Sequence, residues 1–224
     1  MSPEIRVIFV QQGTVPSYGY TEGVRGRAGC ELVCAGALRY DVYQVERILR
    51  ACAEDLTRRP SHEAAMVEVA GLGTFAMGGV EPDWVEALLL GIPARRQQAR
   101  WVQVIPVEPA PTLDTPDMAR SLAEGHDPAW QWLVRPWDLP IPEESCVVTT
   151  LEVLTGSSPP VTIYRWEAGQ WEALDKPAAE LDRATARVAP FGLLTALVAD
   201  WSLALSLGVG EGFQRLGSEW IRSR

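Results

Sequence analysis

The pattern of apolar and polar positions changes period several times along the chain. Ile5 to Val10, IRVIFV, is rich in β-branched residues and predicts a strand. CELVCAGAL, beginning at Cys30, predicts a second. Between them lies VPSYGYTEGVRGRAGCELVCAG, Val15 to Gly36. Its glycines permit turn geometry, and Tyr20 and Thr21 suit a strand end, so strand, turn, strand is expected. From Asp41 the period becomes helical: Val42, Val45, Ile48, Leu49, Cys52 and Leu56 fall on one stripe. Asp41 suits the N-cap, Glu46 precedes Arg50 by one turn, and the helix is expected over Asp41 to Leu56.

AMVEVAGLGTFAMGGV reads as a glycine turn or kinked strand, and DWVEALLLG as a short helix capped by Asp83 and stopped by Gly91. RWVQVIPVEP alternates, with Trp101, Gln103 and Ile105 on one face and Val102 and Val104 on the other. TPDMARSLAEGHDP predicts a helix from Thr115, with Pro116 in its first turn and Gly125 at its end. AWQWLVRPWDLPIPEES starts as a strand and is then forced into an extended path by Pro136, Pro140 and Pro142, which suggests a domain end. After it CVVTTLEVL and VTIYRWEAGQWEAL predict strands with a tight turn at Glu167 to Gln170. DRATARVAPFGLLTALVADWSLALSLGVGEGF adds a strand and apolar helical matter. The expected fold class is α+β: a mixed β-sheet with packed helices over residues 1–145, and a smaller α+β module over residues 146–224.

Composition narrows the functions. The 224 residues are 47% apolar and 22% charged, enough to bury a core without a metal or disulfide. A formal charge of −9 argues against nucleic acid and suits a basic protein partner. No stretch of about 18 apolar residues suggests a membrane span. The opening MSPEIRVIFV lacks the pattern of a signal peptide, so a cytoplasmic protein is expected.

The candidate chemistry is sparse. Cys30 and Cys34 form C-x3-C without a second ligand pair, and with Cys52 and Cys146 are expected as free thiols. His62 and His126 have no metal-ligand neighbours, so neither a metal nor a cofactor is expected. His126 suits a helix end. Gly71-x-Gly73 with Gly78 lacks the third glycine of a dinucleotide loop at its proper place. Glu143 and Glu144 read as a solvated pair, and Arg25, Arg27, Arg95, Arg96 and Arg100 as solvated faces. Gly19 to Gly23 is either a plain connection or a rim whose polar anchors are Tyr20, Thr21, Glu22 and Arg25. Trp130, Trp132 and Trp137 suit core, cavity or interface. On a strand, Gln131 would face opposite to Trp130 and Trp132.

Tyr20-Thr21-Glu22-Gly23, Glu31-Leu32-Val33-Cys34-Ala35-Gly36, VIPVE (Val104 to Glu108), Ala129-Trp130-Gln131 and PWDLPIPEE occur in that order. Residues 15–144 thereby resemble a bacterial family known as domain of unknown function forty-two sixty-two. Gly29-Cys30 stands where that family has His-Pro, and Val24 where it has Leu. The C-terminal module weakly resembles modules of bacterial immunity-type proteins. The resemblance implies architecture more than mechanism. The expected function is binding, in a protein–protein or immunity-type role. The alternative is an enzyme or small-molecule binder whose pocket lies between the Tyr20–Gly23 turn and a Trp130–Trp132 strand.

Overall fold

The computed structural model describes residues 4–11, 13–36, 38–58, 66–89 and 99–223. The chain forms two compact units. The first comprises Met1–Gln11, Ser17–Pro111 and Thr115–Asp127; the second comprises Gln12–Pro16, Thr112–Asp114 and Pro128–Arg224. The fold class is α+β, with a mixed six-stranded sheet in each unit.

In the first unit the strands are β1 (Arg6–Val10), β2 (Tyr18–Glu22), β3 (Cys30–Ala35), β4 (Val67–Val69), β5 (Gly73–Gly79) and β6 (Arg100–Glu108). Their order is β1-β2-β3-β6-β5-β4, and all neighbours are antiparallel except β3 and β6. A one-turn helix, α1 (Arg25–Ala28), joins β2 to β3, and Gly29 closes it in the left-handed region at φ 75°.

Helix α2 (Val42–Arg58) packs on one face of this sheet. It starts with a reciprocal cap: Gln44 N–H donates to Asp41 Oδ1 at 2.8 Å and Asp41 N–H donates to Gln44 Oε1 at 2.9 Å. Glu46 and Arg50 pair at 2.8 Å on its exposed side. Val45, Ile48, Leu49, Cys52, Ala53 and Leu56 are buried against Cys30, Leu32 and Cys34 of β3 and Val102 and Val104 of β6. Each large aliphatic side chain contributes about 1.5–3 kcal/mol by leaving water, so packing, not helix propensity, holds α2. Gly19 lets the helix approach, since a Cβ there would lie 2.8 Å from Val45 Cγ1.

Alternation sends Tyr18, Tyr20 and Glu22 of β2, Glu31 and Val33 of β3, and Trp101 and Gln103 of β6 to the opposite face. Helix α3 (Pro82–Leu88) and the segment Thr115–Asp127 belong to the same unit. Buried Gln103 binds that segment through Nε2–H to Pro116 O at 2.7 Å and Oε1 from Met118 N–H at 3.2 Å. Trp84 donates its indole N–H to Arg120 O at 2.8 Å.

The second unit orders its strands β10-β7-β9-β8-β11-β12. They are β7 (Cys146–Thr150), β8 (Thr162–Glu167), β9 (Gln170–Leu174), β10 (Ala186–Pro190), β11 (Gly212–Leu216) and β12 (Glu219–Ser223). Only β7 and β9 run parallel. Helix α4 (Leu151–Leu154) follows β7, and α5 (Phe191–Leu197) follows β10. The core centres on Trp171, Phe191 and Trp201, with ring centroids 4.7 and 5.2 Å apart in sequence. The Arg165 guanidinium lies 4.6 Å from the Trp171 ring and donates to the Leu207, Ala168 and Glu167 carbonyls.

Four expected elements differ. The strand expected over CVVTTLEVL ends at Thr150, and Leu151–Leu154 is helix α4, begun by Thr150 Oγ1 accepting from Val153 N–H at 3.4 Å. The helix expected from Thr115 to Gly125 is absent: residues 115–121 are irregular, and only Leu122–Glu124 forms a 3-10 turn, closed by Gly125 at φ 69°. Gln103 holds the Pro116 carbonyl and the Met118 N–H in place of local helical bonding, and Asp83 Oδ2 accepts from Ser121 Oγ–H at 2.6 Å and Ala123 N–H at 3.2 Å. The strand expected at Trp130–Trp132 is a 3-10 helix, Pro128–Leu133. Pro128 starts it, and the Trp130 indole fixes it by donating to Asp114 O at 2.8 Å. Glu81, not Asp83, is the N-cap of α3, because Pro82 occupies the first helical position. Gly91, Arg95, Arg96 and His62 lie outside the described residues.

Candidate functional site

At one end of the first sheet, on the face opposite α2, lies a pocket of ≈ 260 Å³. The strand registers assemble it. Arg6 of β1 pairs with Glu22 of β2, and Glu31 of β3 with Trp101 of β6. Tyr20 and Trp101 form an aromatic wall, edge to face, with centroids 6.0 Å apart. Arg6, Glu22, Arg25 and Glu4 supply charge around it. Arg6 Nη2 and Glu22 Oε2 are 2.8 Å apart, a cross-strand ion pair.

The enclosed acid of this pocket is Glu31, only 9% exposed. Its Oε2 accepts from Thr21 Oγ1–H at 2.8 Å and Val24 N–H at 3.2 Å. Its Oε1 accepts from Gly23 N–H at 2.9 Å and Arg25 N–H at 3.2 Å. The carboxylate thus caps the first turn of α1 from a neighbouring strand, satisfying donors a helix end leaves open. Thr21 Oγ1 in turn accepts from Leu32 N–H at 2.8 Å, replacing a ladder bond beyond the Tyr20–Val33 pair. Gly23 is required at this corner. Its φ is 102°, and a Cβ would lie 2.8 Å from Glu4 O.

The four candidates from the glycine-tyrosine stretch, Tyr20, Thr21, Glu22 and Arg25, all line this pocket. Trp130, Gln131 and Trp132 are not among its lining, and they belong to the second unit. There Trp130 is fully buried. Gln131 is half-buried, and its Oε1 accepts from Arg135 Nη1–H at 3.2 Å. Trp132 donates to Gly192 O at 3.3 Å and packs 4.8 Å from the Trp137 ring, whose own indole donates to Ile141 O. Glu31, Trp101, Arg6 and Glu4 also line the pocket, and none of them is a site residue expected from the sequence. Glu31 carried a signal, as the sole acid in the apolar run Cys30–Ala35; the parallel register that brings Trp101 beside it leaves no mark in one sequence.

The second unit has its own cavity of ≈ 270 Å³, bordered by Pro159, Pro160, Asp200, Arg215 and Trp220. Its polar groups engage one another: the Trp220 indole donates to Asp200 Oδ2 at 3.3 Å, and Arg215 lies 5.8 Å from the Trp220 ring.

No disulfide joins the four cysteines. Cys30, Cys34 and Cys52 lie in the core under α2, where burial and the neighbouring Cys34 and Asp55 push the Cys52 thiol up to about 12. Among the described residues no group of three or more His, Cys, Asp or Glu is placed to hold a metal ion. No described helix is long and apolar enough to cross a membrane. His126 Nε2 sits 2.9 Å from Glu124 Oε2, just beyond the 3-10 turn.

No family model, curated protein or solved structure matches the chain.

Proposed function

We propose that this chain is a binding protein whose first-unit pocket receives one side chain of a protein partner. One observation carries this reading. The pocket's enclosed carboxylate, Glu31, is occupied by four donors, while its walls are two largely buried aromatic rings and its rim is formed by arginines and glutamates. General acid–base work needs a carboxyl group with a free lone pair or proton directed at substrate. Among the described residues no His, Cys or Ser belongs to the lining, and the Thr21 hydroxyl is already engaged, donating to Glu31 and accepting from Leu32 N–H. Aromatic walls with a polar rim are instead the composition of a hot-spot pocket. At ≈ 260 Å³ it falls below the ~300–1,000 Å³ of pockets that enclose drug-sized ligands.

The apolar body of the partner's side chain lies against Tyr20 and Trp101, and its polar end meets Arg6, Arg25, Glu4 or Glu22. The cytoplasm is the proposed location. Four cysteines outside any disulfide, three of them buried, support a reducing compartment.

The test is reciprocal. A partner captured on the full chain is purified, and its affinity is measured by calorimetry for the unaltered protein and for Arg25→Glu and Glu4→Lys. Both side chains are exposed, so both variants are expected to fold. At least one should bind about tenfold more weakly, which is about 1.4 kcal/mol. Equal affinity for all three proteins would overturn the assignment. So would a small molecule retained in the native protein and lost from Arg25→Glu.

A further inference from the structure

The two faces of the second sheet differ in charge. Alternation along β8, β10, β11 and β12 directs Arg165, Arg187, Arg215 and Arg222 to one face, the side of Trp171. The other face carries Glu172 and Glu219 and no Arg or Lys from any of its six strands. The strand registers set one row across that face: Val188, Val148, Glu172, Tyr164, Gly212 and Ser223. Trp166 lies beside this row, its ring centroid 4.6 Å from that of Tyr164. Apolar side chains stand open here: Val188 is 53% exposed, Trp166 54%, Leu216 56% and Ile221 48%.

Glu172 sits in the middle of this surface, half-buried between Val148 and Tyr164. Its side chain accepts a hydrogen bond from Trp166. Among the described residues it has no cationic partner. Burial pushes its carboxyl above the usual carboxylate range, although the Trp166 bond pulls the other way. That is the condition of an anion lacking a counter-charge. A carboxylate beside two aromatic rings is complementary to an ammonium or guanidinium group, which gains from both the charge and the rings. The chain's formal charge of −9 favours approach of the same kind of partner.

We propose that this open sheet face is a docking surface for a protein that presents a lysine or arginine, with Glu172 as the counter-charge and Tyr164 and Trp166 as the aromatic walls. The site lies wholly in the second unit, so it stands or falls independently of the first-unit pocket.

The test uses the full chain and an extended heptapeptide of alternating threonine and lysine, which places its lysines on one side. The reporter is the Trp166 indole N–H resonance, assigned by its loss in Trp166→Phe. The peptide should move this resonance saturably. Binding should weaken about tenfold in Glu172→Gln, and also in Val188→Lys, which adds a like charge at an exposed position without touching Glu172. A threonine–glutamate peptide should leave the resonance in place. The proposal is overturned if the lysine peptide does not move the Trp166 resonance, if both variants bind it as the unaltered chain does, or if the acidic peptide binds equally. Sedimentation showing self-association that Glu172→Gln abolishes would overturn it in favour of a second copy of this chain.

Discussion

Replacing Glu31 by alanine removes the acceptor on which the β2–α1–β3 corner converges. Four donors lose their partner: Thr21 Oγ1–H and the backbone N–H groups of Gly23, Val24 and Arg25. Thr21 and Val24 are fully buried, so water cannot replace the carboxylate for them. Each such orphaned donor costs about 1–3 kcal/mol. Gly23 and Arg25 are partly open, and water recovers most of their loss. Releasing a buried carboxylate to solvent offsets part of the sum. The expected cost for Glu31→Ala is about 3 kcal/mol. Glu31→Gln keeps one oxygen for Gly23 and Arg25 but turns an amide NH2 towards Thr21 and Val24; only the Thr21 hydroxyl can rotate to accept it, so about 1–2 kcal/mol is expected. The assay is equilibrium urea unfolding read by hydrogen-exchange mass spectrometry, with peptides over residues 18–35 as reporter and second-unit peptides as internal control. With a slope of about 2 kcal/mol per molar urea, Glu31→Ala should move the first-unit midpoint down by about 1.5 M. A shift below about 0.3 M, or identical shifts for Ala and Gln, would refute the capping role.

The remaining predictions concern packing and ionisation. Gly19→Ala should cost about 1–3 kcal/mol in thermal melts through its contact with Val45, and the double variant with Val45→Ala should recover part of that loss. Cys52, raised to about 12 in the folded state, should resist disulfide-exchange reagents until unfolding; its contribution to stability should be complete below its ordinary value near 9 and vanish as pH rises towards 12, which alkaline titration of stability can follow. Glu172 is also raised by burial, so its protonated form suits the fold; that contribution is lost as pH rises through the carboxylate range, and Glu172→Gln should be more stable than the unaltered chain at neutral pH but not at pH 4. Asp83 behaves oppositely. Desolvation raises it, but bonds from Ser121, Ala123, Trp84 and Leu122 outweigh that and hold it below its ordinary range. Its contribution should persist at neutral pH and fade only in acid, and Asp83→Asn should flatten that part of the stability profile.

The elements most legible in the sequence were those whose local pattern and tertiary role coincide. Helix α2 carries its cap, its ion pair and its buried stripe in consecutive residues, so one stretch of sequence specifies it. The β8–β9 hairpin and the alternation of β6 were legible for the same reason. Thr115–Gly125 carries only terminal helix signals, and distant side chains of Gln103 and Asp83 claim its backbone, so no α-helix forms there. Trp130–Trp132 alternates like a strand, yet the spacing equally suits a 3-10 turn with one indole anchored at Asp114. Half of the pocket, Tyr20 to Arg25, was visible as a glycine-rich aromatic cluster. Its other half depends on Trp101 arriving beside Glu31 through a parallel pairing across some seventy intervening residues, which no short-range pattern encodes.

In the function we propose, the first-unit pocket takes a side chain of another protein. Site-specific photocrosslinking in living cells tests it most directly. A benzophenone amino acid is placed at Arg25, on the pocket rim, and in a separate protein at Glu54, on the exposed side of α2. One discrete protein adduct is expected from position 25, absent from position 54 and lost when Glu4→Lys is added. Equal adducts from both positions, or none from position 25 while the native protein carries a stoichiometric small molecule, would contradict it.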